Sequence, residues 1–352
     1  MTKPDEVRQS FRDQAVYCAQ LGSPFMQRLC RLFAERLTDS NEVFARVLRW
    51  PGDPRPSCDS LPLRLCGALH WLVLAGMDSR LAQVYPPSPA ADEALWPSVE
   101  AAVQAHAAAI LARLESPPQT NEVRRSAILL PGFLEIARRF PGRPLVTSEP
   151  GASAGLNTNW DRYRYCLDAV GWGAPGAPVA LAPEWRGADL PERPAPITVV
   201  ERAACDLNPL DGRSPDDRLR LLSYLWADQT ERIALTRAAL QLLDRHSVQV
   251  DRADAIGWLQ RRLTAPRPES VHVVYHSIFW QYLPKDLQAA GEASLRAAGA
   301  RATERVPLAW LRFEEDGAGP GAGLRLTTWP GGVDRNLARA DHHGRWIDWR
   351  GP

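Results

Sequence analysis

The stretch EPGASAG, Glu149 to Gly155, holds two chemical patterns at once. Read from Gly151 it is G-x-S-x-G, in which a serine on a tight turn attacks an ester or amide carbonyl. Read from Glu149 it is an acid followed by small residues at alternate positions, Gly151, Ser153 and Gly155. Small residues let a backbone loop approach a ligand with no Cβ in the way. The serine pattern needs an acid and a histidine later in the chain, and Asp254 with His342 or His343 are the candidates. The second pattern needs an acid at the end of the next strand. Asp206 in CDLNPLD suits that place, because one carboxylate accepts two neighbouring hydroxyls; Glu201 takes over if the strand ends earlier. His276, at the end of a later strand in VVYHSIFWQYL, is the candidate general base. Trp280 and Tyr282 beside it offer aromatic faces, which favour a cationic group. Asp161 in WDRYRY is a further candidate for contact with a substrate, and His342 and His343 otherwise read as surface turn residues.

These residues need elements to hold them. Before Pro144 the pattern is helical: Phe25, Leu29, Leu32 and Phe33 form one apolar stripe. Helical stretches follow near 63–84, 92–114 and 121–140, broken by the proline-rich WPGDPRPSCDSLP, YPPSPAAD and ESPPQT. After Pro144 strand and helix patterns alternate. Strands are expected in RPLVTSE, APITVVERAACD, SVQVD and SVHVVYH, a helix KDLQAAGEASLRAAGA leads to RVPLAWLRFEE, and a helix is expected to start at LNTNWDRYRY. GLRLTTWPGG and HGRWIDW are expected as antiparallel edge strands. The reading is therefore α/β: a Rossmann-like, mostly parallel sheet with helices on both faces and a terminal antiparallel hairpin. It covers 143–352, with a hairpin insertion near 166–195, and follows an all-helical domain over 1–142 that serves as a lid or a dimerisation module. In such sheets ligands bind at the carboxyl ends of the strands, where Glu149, Asp206, Asp254 and His276 all fall.

The order of these parts resembles the class I S-adenosylmethionine-dependent methyltransferases, with Ser153 standing where a glycine is usual. That resemblance implies S-adenosylmethionine as cofactor, held by Glu149, Gly151, Ser153, Gly155, Asn157 and Asp206, with Asp254 and Ala255 meeting the adenine edge. The implied acceptor is a small molecule or peptide. The fourth strand lacks the Asn/Asp-Pro-Pro-Tyr of amino-group methylation and carries HSIFWQYL instead. Over nearly its full length the chain also resembles a bacterial family, domain of unknown function 2332, through EPGASAGLN…DRYRY, CDLNPLD, YLWADQTERI, VVYHSIFWQYLP and HGRWIDW. That second resemblance implies no activity. The other readings are a serine hydrolase using Ser153, or a nucleoside-binding or scaffold protein without catalysis.

Composition narrows the field. A chain of 352 residues with 45% hydrophobic and 24% charged residues is long enough for two cores. A net charge of +1 gives no reason to expect nucleic acid or an anionic membrane as partner. The six cysteines fall at no zinc spacing, so no metal is expected. The N-terminal MTKPDEVRQSFRDQA has no apolar run, and a cytoplasmic location is expected. Oligomeric state is left open.

Overall fold

Helix starts are written into the first third of the chain. Ser23 accepts a hydrogen bond from the Met26 N–H, with Pro24 at the first helical position. Asn41 and Asp78 cap in the same way. The computed structural model describes residues 3–88, 90–190 and 195–351. It has α1 (Pro4–Gln20), α2 (Pro24–Arg36), α3 (Glu42–Leu48), α4 (Leu61–Leu74), α5 (Ser79–Val84), α6 (Asp92–Ala105) and α7 (Ala107–Leu114). The expected stripe Phe25, Leu29, Leu32 and Phe33 is buried, and Phe33 packs against the rings of Phe11, Phe44 and Trp96.

Two compact units divide the chain, and the dividing line departs from the expected 142/143. The helical unit is 1–120 together with 214–237; the sheet unit is 121–213 together with 238–352. α8 (Arg125–Arg139), expected among the helical domain, packs on the sheet instead. Conversely α9 (Pro215–Ser223) and the first part of α10 (Thr230–Leu243) return to the helical unit. There the Ser223 carbonyl meets His70 Nδ1 at 3.2 Å, and the Asp228 carboxylate accepts from the Ser23 hydroxyl at 2.5 Å and the Phe25 N–H at 2.9 Å. Trp226 and Ala227 complete that unit's core.

The sheet unit starts with α8 and β1 (Leu145–Pro150). The expected helix at Leu156 is a 3-10 helix, Leu156–Arg162, which gives way to β2 (Arg164–Leu167), β3 (Val170–Trp172) and β4 (Ala180–Leu181), a small separate sheet. This is the expected insertion, begun two residues earlier. Part of its expected range, 191–194, lies outside the described residues. β5 (Glu184–Gly187), β6 (Val199–Asp206), β7 (Val250–Arg252), α11 (Ala255–Thr264), β8 (Val271–Ser277), α12 (Lys285–Ala300), β9 (Leu308–Glu314), β10 (Ala322–Trp329), β11 (Val333–Ala340) and β12 (Trp346–Trp349) follow.

One nine-stranded sheet runs β5-β12-β11-β10-β9-β8-β1-β6-β7. β7, β6, β1, β8 and β9 are mutually parallel. β10, β11 and β12 continue antiparallel, and β5 closes the edge parallel to β12. The antiparallel end is thus a three-stranded meander in place of a hairpin. Leu311 and Trp310 alternate in β9: Leu311 lies beside Gly132 of α8, while Trp310 joins the core built with α11 and α12. Helices therefore cover both faces. From β1 the chain steps outward to β6 and β7, then returns to β8 on the other side of β1. That reversal leaves a topological switch point between the carboxyl ends of β1 and β8.

Candidate functional site

The loop after β1 is strapped to the end of β6. The N–H groups of Gly151 and Ala152 donate to the Cys205 carbonyl at 2.8 and 3.0 Å. The Ser153 N–H donates to Asp206 Oδ2 at 2.8 Å. Three residues of the loop are left-handed: Gly151 (φ +73°), Ser153 (φ +55°) and Gly155 (φ +76°). The left-handed region suits glycine, whereas Ser153 is held there against its preference. Its side chain is 4% exposed, and its hydroxyl has no hydrogen-bond partner among the described residues.

The two glycines serve the protein's own packing, which corrects the expectation that they leave space for a ligand. A Cβ on Gly151 would lie 2.1 Å from Phe279 Cδ2, and one on Gly155 would lie 3.0 Å from Val250 Cγ2. Phe279 follows Ile278, a β-branched residue at φ +49°. Such a residue in the left-handed region is a real outlier and costs about 1–3 kcal/mol. Backbone strain thus sits on both loops that flank the switch point.

Asp206, and not Glu201, ends β6. Its Oδ1 accepts the Asn208 N–H at 2.9 Å while Oδ2 holds Ser153. The carboxylate is half-buried, so it retains lone pairs toward solvent. The next residue, Leu207, is 68% exposed. Glu201 lies mid-strand, in ion pairs with Arg262 (2.7 Å) and Arg267 (3.2 Å). Asp254 departs from the adenine-edge expectation: its two oxygens cap α11, accepting from Ile256 and Gly257 at 3.4 and 2.6 Å. Ala255 is buried as the first residue of that helix.

Glu149 is buried at the end of β1, and the Tyr275 hydroxyl lies 2.9 Å from its Oε2 and 3.2 Å from the Asn157 carbonyl. Burial pushes the Glu149 carboxyl up to about 8, and the nearby Asp206 charge adds to it. The Tyr275 hydroxyl donates to Glu149 Oε2 and shares its hydrogen with the Asn157 carbonyl, and this bond offsets part of the upward shift. Asn157 itself is a structural tie, accepting from the Ser126 hydroxyl at 2.8 Å and donating to the Glu122 carbonyl at 3.2 Å.

His276 has no ring nitrogen free for a substrate, a correction to its expected role as base. Its ring is wholly buried and stacked on Trp280. The Trp310 indole N–H donates to Nε2 at 2.9 Å, so Nδ1 carries the proton and donates to Glu314 Oε1 at 2.6 Å. Glu314 in turn accepts the Phe279 N–H at 3.0 Å. The histidine therefore pins the turn that carries Phe279.

Trp280 packs between His276, Trp310 and Gly291 of α12. Tyr282 is 70% exposed. Asp161 is paired with Arg202 of β6, and its neighbours Tyr163 and Tyr165 are buried, donating to the Leu156 and Trp160 carbonyls. The hydrolase triad is not assembled. Ser153 has no base within hydrogen-bond reach, Asp254 is a helix cap, and His342 Nε2 lies 2.7 Å from Glu315.

The loop after β1, the loop after β6 and the turn before β7 enclose a cleft of about 500 Å³. Ala154, Leu210, Gly212, Arg213, Val248 and Val250 line it. The Leu210 N–H donates to the Ser153 carbonyl at 3.3 Å, which ties the cleft wall to the loop. Among the described residues, no group of three or more His, Cys, Asp or Glu is placed to hold a metal ion, and no helix is long and apolar enough to cross a membrane. Sequence spacing does not point to Tyr275, Phe279 or Glu314. The regular alternation of β8, which puts Tyr275 on the face of Glu149, is the only signal that could have found one of them.

The chain belongs to the family described as uncharacterized protein conserved in bacteria (DUF2332), whose pattern matches residues 8–349. No curated protein and no solved structure matches it.

Proposed function

We propose that this member of the DUF2332 family binds S-adenosylmethionine at the loops that follow β1 and β6 and acts as a methyltransferase on a small molecule or peptide. The observation that carries the reading is the Asp206 carboxylate. It ends the second parallel strand, is held by two backbone N–H groups and still keeps lone pairs toward solvent. That acceptor suits a vicinal diol such as ribose. The partnerless Ser153 hydroxyl and the exposed Leu207 next to Asp206 in the chain fit the polar and apolar parts of a nucleoside. Gly151 fits less well, because its open side is filled by Phe279; a nucleoside there meets an aromatic edge, not bare backbone.

Bound S-adenosylmethionine supplies an electrophilic methyl group. The chain's own contribution is to hold and orient: Asp206 fixes the sugar, and Ser153 donates one hydrogen bond. Protonated Glu149 keeps a second negative charge away from Asp206. Alignment of this kind is the larger part of an in-line displacement. A binding protein without turnover is the second reading, favoured by the sequestered ring of His276.

Calorimetric titration with S-adenosylhomocysteine should give one site per chain, and saturating ligand should raise the melting temperature by mass action. No heat and no shift at about millimolar ligand overturns the proposal. Binding with no methyl transfer to any acceptor in a cell extract selects the second reading.

A further inference from the structure

The opposite edge of the parallel strands, where β8 and β9 begin, holds a half-open cavity of about 200 Å³ between the last turns of α11 and α12. Its walls are largely apolar, with Leu263, Pro266, Ala298, Ala302 and Leu308 among them, and His272, Arg267, Arg301, Thr264 and Thr303 add polar groups. His272 is 5% exposed. Its Nε2 lies 2.9 Å from Ser148 Oγ, and the Arg262 Nε–H donates to the same oxygen at 3.1 Å. Arg262 leaves the serine hydrogen to point at the imidazole, which makes Nε2 the acceptor and Nδ1 the protonated nitrogen. That Nδ1–H has no partner among the described residues.

Arg267 repeats the pattern. One end of its guanidinium is paired with Glu201 at 3.2 Å, while its buried Nε–H has no partner among the described residues. Buried N–H donors are nearly always satisfied in folded proteins, so the Arg267 Nε–H calls for an acceptor, and the imidazole N–H on the same wall offers a second donor. Arg262 and Arg267 share the single carboxylate of Glu201, which leaves excess positive charge beside the cavity. Burial and these two guanidiniums hold the imidazole well below its ordinary range, so it is a neutral donor at physiological pH.

We propose that this cavity binds a small carboxylate with a short apolar body, its oxygens on the His272 Nδ1–H and Arg267 Nε–H and its carbon chain against Ala298 and Ala302. The size agrees. At about 30 Å³ per water the volume equals about six or seven waters, below the roughly 300–1,000 Å³ of drug-sized sites. Carboxylate is favoured over phosphate because a wall of this composition gives half the ligand no polar partner. The site stands apart from the loops after β1 and β6 and does not depend on what binds there.

Calorimetry on the full chain with sodium butyrate tests it. Butyrate should saturate one site and move the His272 Nδ1–H resonance in the NMR spectrum. Butyramide, the same shape without the charge, and inorganic phosphate, the charge without the alkyl body, should each bind at least about tenfold more weakly. Arg267→Gln should weaken butyrate by about tenfold, the loss expected for one charge-assisted hydrogen bond. Ala302→Leu, which fills the apolar end from a half-buried position, should abolish binding with the melting temperature little changed. Equal affinity for butyrate and butyramide, tighter binding of phosphate, full butyrate affinity in Ala302→Leu, or no butyrate binding at about 50 mM each overturn the proposal.

Discussion

Asp206 and Ser153 make opposite contributions to stability, and that separates their roles. Asp206 accepts two backbone N–H groups, so Asp206→Ala should cost about 2–4 kcal/mol, seen as a lower denaturation midpoint, as well as ligand affinity. Ser153 sits left-handed with a buried, unpaired hydroxyl. Ser153→Gly relieves both and should raise stability by about 1 kcal/mol while weakening S-adenosylhomocysteine by up to about tenfold. A nucleophilic serine would instead lose all activity on that change and would label with a fluorophosphonate. Glu149 gives a pH signature. Its folded carboxyl is raised from 4.5 to about 8, so between those values the folded chain keeps a proton that the unfolded chain releases. This group's contribution is full below pH 4.5, falls as pH rises through the window by at most about 1.4 kcal/mol per unit, and is level above it. Glu149→Gln should remove that slope, read as melting temperature against pH beside the parent. At this scale the sequence narrowed the acid at the end of β6 to Asp206 or Glu201, and the strand's length in the structure selects Asp206. It did not show that His276 is spoken for. Glu314 and Trp310, which hold it, lie more than thirty residues further on, and only strand pairing brings them near.

Elements were legible where local chemistry and burial agree. The stripe of Phe25, Leu29, Leu32 and Phe33 lies buried in α2, and β1 and β8 read as apolar runs because both of their faces are covered; the break at Asp78, inside the stretch expected near 63–84, did not show. β11 has no strand signature in the sequence, because VDRNLARA is polar and exposed along its first half. Pairing accounts for that polarity. Asp334 faces Thr327 of β10, accepts its hydroxyl at 2.9 Å, and pairs with Arg325 and with Arg312 of β9 at 3.0 Å. Arg312 is largely buried, and its burial lowers its pKa. Removing Asp334 would leave that cation without its acid. Asp334→Ala should therefore destabilise by about 3–5 kcal/mol, well above the roughly 0–1 kcal/mol of an exposed pair. Chemical denaturation compares it with Arg186→Ala, whose partner Glu184 is exposed. The helix expected to start at LNTNWDRYRY is a short 3-10 helix, 156–162, and nothing in that stretch announces that Tyr163 and Tyr165 turn inward to the carbonyls of Leu156 and Trp160.

At the scale of the whole molecule, alternating strands and helices disclosed the α/β class, but not the return of 214–237 to the helical unit. Those residues read as one more crossover between β6 and β7, and their partners His70, Ser23 and Phe25 precede them by 150 residues or more. A nick in the irregular segment 115–120 should consequently leave two fragments that co-elute under native conditions and part only in denaturant. A chain ending at 120 should be loosely packed, with the protected amides of α4 exchanging fast, because Trp226, Ala227 and the Asp228 carboxylate are missing from its core. The same crossing sets a schedule for synthesis. At about 5–20 residues per second, the ribosome delivers residue 237 roughly 6–23 s after residue 120. Through that interval the first helices stand complete in sequence but open where α9 will lie. The nascent chain should therefore be a client of the cell's holding chaperones until its missing piece emerges, and pausing translation between those points should lower the yield of folded protein.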